Sequence, residues 1–271
     1  MVRSLWTGAT GMIAQQTNLD TIANNLANVN TTGYKTQSNE FKSLLYQTIQ
    51  TETTSANGET KPTSAQVGLG VRNSAINTIF KQGALLASES DTDFAIYGKG
   101  FFAVRGEDGN TYYTRNGKLQ WSLGTGGNML CDSQGLPVMD TTGKAIILGE
   151  QYVLSNVSVD KDGNILYPDA NNNPQKIGIQ MGVYQFNNPG GLKKEGDSLY
   201  SQTAASGQPL NEATNTNLPK SKIIQGYLEG SNVNVADEMV NMITTQRAYE
   251  FNSRVITTSD TMLEQANNLR R

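Results

Sequence analysis

Two seven-residue rails constrain this chain more than any other feature. Near the amino end, Leu5, Met12, Leu19 and Leu26 share one register; near the carboxyl end, Leu228, Val235, Met242, Tyr249, Ile256 and Leu263 share another. A step of seven returns a residue to nearly the same side of an α-helix, so each rail reads as one apolar stripe. Helices with such narrow stripes are rarely stable alone in water, and two of them at opposite ends of a chain are suited to packing side by side. The pattern points to assembly rather than to catalysis.

The first helix is predicted over residues 4–30. No proline precedes Pro62, and Ile22 and Val29, three residues after Leu19 and Leu26, widen the stripe into a seam. Gly33 is a natural left-handed stop. A shorter helix is predicted over Gln37–Gln47, with Phe41, Leu44 and Leu45 on one face. The last helix is predicted within Ser231–Arg271, which holds neither glycine nor proline. Asn234 is its expected N-cap, Asp237 and Glu238 lie in the first turn, Met239 joins the stripe, and Arg270 and Arg271 close the end. Within the last helix, three residues after Val235, Met242, Tyr249, Ile256 and Leu263 stand Glu238, Thr245, Asn252, Ser259 and Ala266. A two-stranded coil would place apolar side chains there; a tube of many helices tolerates the mixed face.

Between the rails, Gln50–Gln66 is polar and without period, and reads as a long loop suited to contacts. From Val67 to about Gly226 the texture is β. Phe101-Phe102-Ala103-Val104, Thr111-Tyr112-Tyr113-Thr114 and Lys176–Phe186 are separated by turn signals such as Asp108-Gly109 and Asp162-Gly163. The expected class is α+β: long terminal helices forming a coiled-coil-like tube domain, with a mainly antiparallel central region built as a small barrel or sandwich. Expected divisions are residues 1–45 with 226–271 as the helical assembly domain and 46–66 as the extended loop. Residues 67–95 with 196–225 form a connecting region, and 96–195 form the outer β domain.

Composition removes several kinds of chemistry. The chain of 271 residues has no histidine, which excludes Ser-His-Asp and Cys-His nucleophiles and imidazole zinc sites. Cys131 is alone, so no intrachain disulfide forms. The net charge of −3 with no Lys/Arg block gives a nucleic-acid groove no electrostatic basis. No apolar run suits membrane insertion, and the amino terminus lacks a cleavable signal core. Asp160-Lys-Asp-Gly-Asn164 begins like a calcium loop, but Ile165 and Asn171 occupy the positions where that loop needs glycine and glutamate; a β-turn is expected. Gly98-Lys-Gly-Phe-Phe102 precedes an aromatic strand, so a tight turn is expected there rather than a phosphate cradle. Neither an enzyme nor a cofactor is indicated.

Ala23-Asn-Asn-Leu-Ala-Asn-Val-Asn-Thr-Thr-Gly-Tyr-Lys35 resembles the amino-terminal signature of the bacterial flagellar rod and hook proteins. Ser231-Asn-Val-Asn-Val-Ala-Asp-Glu-Met-Val-Asn-Met-Ile-Thr-Thr-Gln-Arg-Ala-Tyr-Glu-Phe-Asn-Ser253 resembles their carboxyl signature. Asp93–Phe102 and Tyr113-Thr-Arg-Asn-Gly-Lys118 are similar to the segment opening their β domain. Arg3-Ser-Leu-Trp6, Thr10-Gly-Met12, Leu44–Ile49 and the polar loop after Ile49 are most like the distal rod members; proximal rod and hook-type members are the nearest alternatives. The resemblance implies a self-assembling structural subunit of the basal body, exported by the flagellar type III apparatus. It implies a hollow drive shaft carrying torque to the hook, with helices as inner tube and β domain as outer wall. Implied partners are copies of itself, proximal rod proteins, hook protein and bushing ring proteins. The expected assembly residues are Leu5, Met12, Leu19, Ile22, Leu26, Val29, Val235, Met239, Met242, Tyr249, Ile256 and Leu263. Asn24, Asn25, Asn28 and Asn30 are expected to fix register. The loop, through Gln50, Thr54, Asn57, Lys61 and Gln66, is expected to lie along neighbouring subunits. Outside this family, the alternative is a secreted carbohydrate-binding or hydrolytic β domain with oligomerisation helices, using Trp121 and Tyr112.

Overall fold

The computed structural model describes residues 2–50, 65–124, 126–169, 173–215 and 217–269. It divides the chain into two compact units, and each forms around its own packing.

The first unit holds residues 1–27, 37–78 and 234–271. Helix α1 spans Val2–Ala27 and helix α2 spans Val235–Asn268. The α2 helix runs for 34 residues, or roughly 50 Å. Its start is fixed locally. Asn234 keeps extended backbone angles while its side-chain oxygen accepts from the Ala236 N–H, and its amide donates to Asp237 at 2.8 Å. That satisfies an orphan donor of the first turn and holds a carboxylate at the positive end of the helix dipole. Arg270 and Arg271 lie outside the described residues. The α1 helix stops at Ala27 rather than at residue 30. The chain then turns, with the Thr31 N–H donating to the Asn28 carbonyl and Gly33 in the left-handed region at φ 71°.

The helix expected over Gln37–Gln47 does not form. Gln37–Ser43 is strand β1 and Tyr46–Gln50 is β2; they pair antiparallel with β4 (Val71–Thr78) and β3 (Ala65–Gly68). Burial alternates residue by residue from Gln37 to Glu40, a two-residue period that a helix cannot satisfy. The leucines expected on the helix face sit between the two strands. There the Leu44 N–H donates to the Gly70 carbonyl and the Leu69 N–H to the Leu45 carbonyl, so the ribbon is continuous. Gly70 is required: at φ 114°, a Cβ there would overlap the Thr10 hydroxyl of α1. Gln50 and Gln66, expected in the loop, belong to β2 and β3; Thr54, Asn57 and Lys61 lie outside the described residues.

The second unit holds residues 28–36 and 79–233. Its widest sheet has six strands, in the order Lys193–Gly196, Leu199–Ser201, Thr111–Thr114, Phe101–Arg105, Val183–Gln185 and Leu210–Asn211. All of its pairings are antiparallel, and the end strands do not meet, so it is open; the barrel alternative is corrected to an open sheet. The run Phe101-Phe102-Ala103-Val104 is buried on both faces, as a continuous apolar strand should be. Phe102 and Val104 join a core with Phe94, Ile96, Leu119 and Ile223. Phe101 and Ala103 join a second core with Tyr113, Phe186 and Tyr200, whose rings meet edge to face.

The two ambiguous loops are turns. Gly163, at φ 81°, donates its N–H to the Asp160 carbonyl, and the Lys161 N–H donates to the Asp160 carboxylate. Gly98, at φ 143°, turns the chain into the Phe101 strand.

Candidate assembly interface

Helices α1 and α2 pack against one another, antiparallel, along a line of mostly polar contacts. Ser4 and Ser259 hydroxyls are 3.1 Å apart, Asn18 donates to Thr245 at 2.9 Å, and Asn25 donates to Glu238 at 3.3 Å. Between the first two, Gly11 faces Asn252, so closely that a Cβ would lie 2.8 Å from its amide nitrogen. These rungs advance seven residues at a time along α1 and retreat seven at a time along α2. Thr245 and Ser259 are only 4% and 6% exposed. The polar positions three residues after the carboxyl rail are therefore the line on which α2 meets α1. Each hydrogen bond contributes about 1 kcal/mol net, and the larger effect is penalising any register that leaves these groups unpaired. Gly8 lets the helices approach: a Cβ there would stand 3.0 Å from Ile256.

The expected residues distribute unevenly around this line. Ile22 is buried, and Leu5, Met12, Leu19, Leu26, Met242, Ile256 and Leu263 are half-buried beside the rungs. Val235, Met239 and Tyr249 are exposed. Leu19 and Tyr249 share the walls of a groove of about 340 Å³ between the helices. Asn25 is 1% exposed and behaves like a peptide group: it accepts from the Gln37 N–H and donates to the Gln37 carbonyl, fastening β1 to α1. Asn24 is at the surface, and Asn28, Val29 and Asn30 lie beyond the end of α1.

A second apolar face was not visible as a heptad. Val240, Ile243, Phe251, Val255 and Met262 lie within about a third of the circumference of α2; the first three face away from α1, and Val255 and Met262, three residues after Asn252 and Ser259, flank the seam. They are 46–62% exposed, and Trp6 and Ile13 of α1 are 67% and 66% exposed. Single exposed apolar residues are ordinary; a stripe of them along an already paired helix is not. The stripe steps by three, eight, four and seven, and that irregularity hides it from a search for one repeat.

Inside the second unit, three segments from distant parts of the chain converge on one buried charge cluster. Lys35 Nζ lies 2.5 Å from Glu229 Oε1, and Arg115 Nη1 lies 3.1 Å from Glu229 Oε2. Glu229 also accepts from the Gly83 N–H, Lys35 donates to the Lys81 carbonyl, and Arg115 donates to the Gly98 carbonyl while lying over the Phe101 ring. Burial holds the Lys35 and Arg115 pKa values below their usual ranges, against the opposing pull of Glu229. Lys35 and Arg115 belong to signature segments, but nothing in their polar surroundings marks them as buried. Glu229 carried no signal at all. Trp121 and Tyr112, the aromatics of the carbohydrate reading, both pack against the main core.

Comparison with known proteins matches the same segments. Residues 5–35 match the family model described as flagella basal body rod protein, and 224–269 match the flagellar basal body rod FlgEFG protein C-terminal model. Residues 95–167 match the flagellar hook protein FlgE/F/G D1 domain. The flagellar basal-body rod protein FlgG of Borreliella burgdorferi is 42% identical over the full length of both chains. That of Buchnera aphidicola subsp. Schizaphis graminum is also 42% identical, over 99% of this chain and 100% of its own. That of Bacillus subtilis is 36% identical over the full length of both. With its two helical ends and the strands between them all matched end to end, the chain belongs to the flagellar basal-body rod protein family.

Proposed function

We propose that this chain is a non-enzymatic structural subunit of the distal rod, polymerising through its terminal helices into a stiff hollow shaft. The observation that carries this reading is the exposed stripe Val240, Ile243, Phe251, Val255 and Met262, left uncovered after α2 has packed on α1. A helix with two occupied sides suits a tube in which every helix touches several neighbours. Contacts of this kind join copies head to tail and, where they do not close, build an open filament. The half-buried rail residues support the pair within one subunit. The exposed stripe, with Trp6, Ile13, Val235, Met239 and Tyr249, meets neighbouring copies. In the same reading, the segment Gln50–Gln66 lies along an adjacent subunit, rod and hook proteins cap the two ends of the stack, and bushing rings surround it. Export proceeds through the flagellar type III apparatus, and no cofactor takes part.

The test is the double variant Phe251→Ser/Met262→Ser in the full chain. Each side chain contributes roughly 1.5–3 kcal/mol when fully buried, so the pair should raise the critical concentration for polymerisation at least about tenfold. Circular dichroism of the unassembled protein should stay the same. Polymerisation at the wild-type concentration would remove this face from the interface. Basal bodies from a strain lacking the protein should carry shafts that end before the distal rod; full-length shafts would reject the placement.

A further inference from the structure

The line of rungs between α1 and α2 contains one ionisable group, and one of its oxygens is buried without a partner among the described residues. Glu238 is 8% exposed; Asn25 donates to its Oε1, while its buried Oε2 has no hydrogen-bond partner among the described residues. Four other polar side chains on this line, Ser4, Asn18, Thr245 and Ser259, have partners across it or along their own helix. A bare carboxylate oxygen in such a place is strongly disfavoured, whereas a protonated carboxyl buries a neutral group at a smaller cost.

We propose that pairing of the terminal helices is coupled to the uptake of one proton by Glu238, so that acidification tightens the α1–α2 seam. Among the described residues, the elements packed around it supply no compensating cation. On α2 the neighbour is Asp237, of like charge. The α1 helix carries only Arg3 and Asp20 as charged residues, β1 only Glu40 and Lys42, and β4 only Arg72, and all five are exposed to water. Burial, and secondarily Asp237, raises the Glu238 pKa from its ordinary 4.5, with the Asn25 hydrogen bond opposing. The helix dipole also favours the anion, since Glu238 lies in the first turn of α2, but it does not provide Oε2 with a donor.

The direction follows from proton counting. Well above the folded pKa both the paired and the separated states carry an ionised Glu238, and the paired state bears the cost of burying it. As pH falls through the folded pKa, the paired state binds the proton first and gains stability. The gain stops once pH reaches the ordinary carboxyl range, where the separated state binds it too. Within that window the equilibrium for pairing rises by up to about tenfold per pH unit.

The experiment uses the full chain in solution and is independent of whether it polymerises. The ¹³C resonance of the Glu238 carboxyl is titrated, and exchange protection factors along Leu5–Leu26 are measured at each pH relative to intrinsic rates. The expected result is a Glu238 midpoint above that of ordinary glutamate, with α1 protection climbing several-fold on acidification over the same range. In Glu238→Gln, which is neutral throughout, protection should be independent of pH in this window. A Glu238 midpoint in the ordinary range, or a glutamine variant that keeps the wild-type pH response, would overturn the proposal. Should the variant fail to fold, the wild-type carboxyl titration decides alone.

Discussion

Glu229 shows how one residue can hold several parts of a chain together. Its carboxylate is completely shielded, and it faces two cations that are shielded as well. Two positive charges to one negative makes the anion the indispensable member. Removing it leaves Lys35 and Arg115 buried, close together and uncompensated. Glu229→Gln should therefore cost about 3–5 kcal/mol of unfolding free energy. Lys35→Met, which leaves a balanced Arg115–Glu229 pair and fills similar space, should cost distinctly less. Urea unfolding of the full chain, followed by signals from the second unit, measures both; equal costs would contradict the charge argument. The sequence displayed this lysine and this arginine but not their burial, because burial of a long charged side chain depends on a partner that lies 194 residues from Lys35 and 114 from Arg115 along the chain.

Elements whose signals are local were legible, and elements that depend on distant partners were not. The start of α2 could be placed at Asn234 because a cap, two acids and an unbroken run of helix-compatible residues all lie within one stretch. The Asn234→Ala variant should lose about 1 kcal/mol and expose the first-turn amides of α2 to faster exchange; unchanged exchange rates there would show the cap to be dispensable. Strand β1 offered no such signal. Gln37-Ser-Asn-Glu40 is poor in strand-forming residues, and its partner β4 arrives from the far side of a long insertion, so the leucines nearby suggested a helix. The helix seam was half legible. The apolar rail was visible as a repeat, while the polar residues beside it, which make the closest contacts, looked like a departure from the coiled-coil rule.

For the whole molecule, the ends and the opening of the β region were legible as paired signatures, and the sheet order was not. Turn residues mark where strands stop without stating which strands meet. The ribbon gives one prediction at this scale. Gln50 pairs with Ala65, so residues 51–64 can be replaced by a two-residue Asn-Gly turn without altering the strands on either side. Unfolding free energies should change by less than ~1 kcal/mol, since loop length enters closure entropy only logarithmically. The polymer's bending persistence length should fall, and an undiminished value would deny the segment any stiffening role. The seam between the chain ends has a last implication. Because both of its polar rows recur every seven residues, translating α2 by one repeat would set Ser4 opposite Asn252, Gly11 opposite Thr245 and Asn18 opposite Glu238, all chemically acceptable neighbours. The rows behave like the teeth of a rack, which can mesh at more than one notch; the two-way clasp of Asn25 on the Gln37 backbone, with the room that Gly8 and Gly11 leave for Ile256 and Asn252, is the detent that selects one.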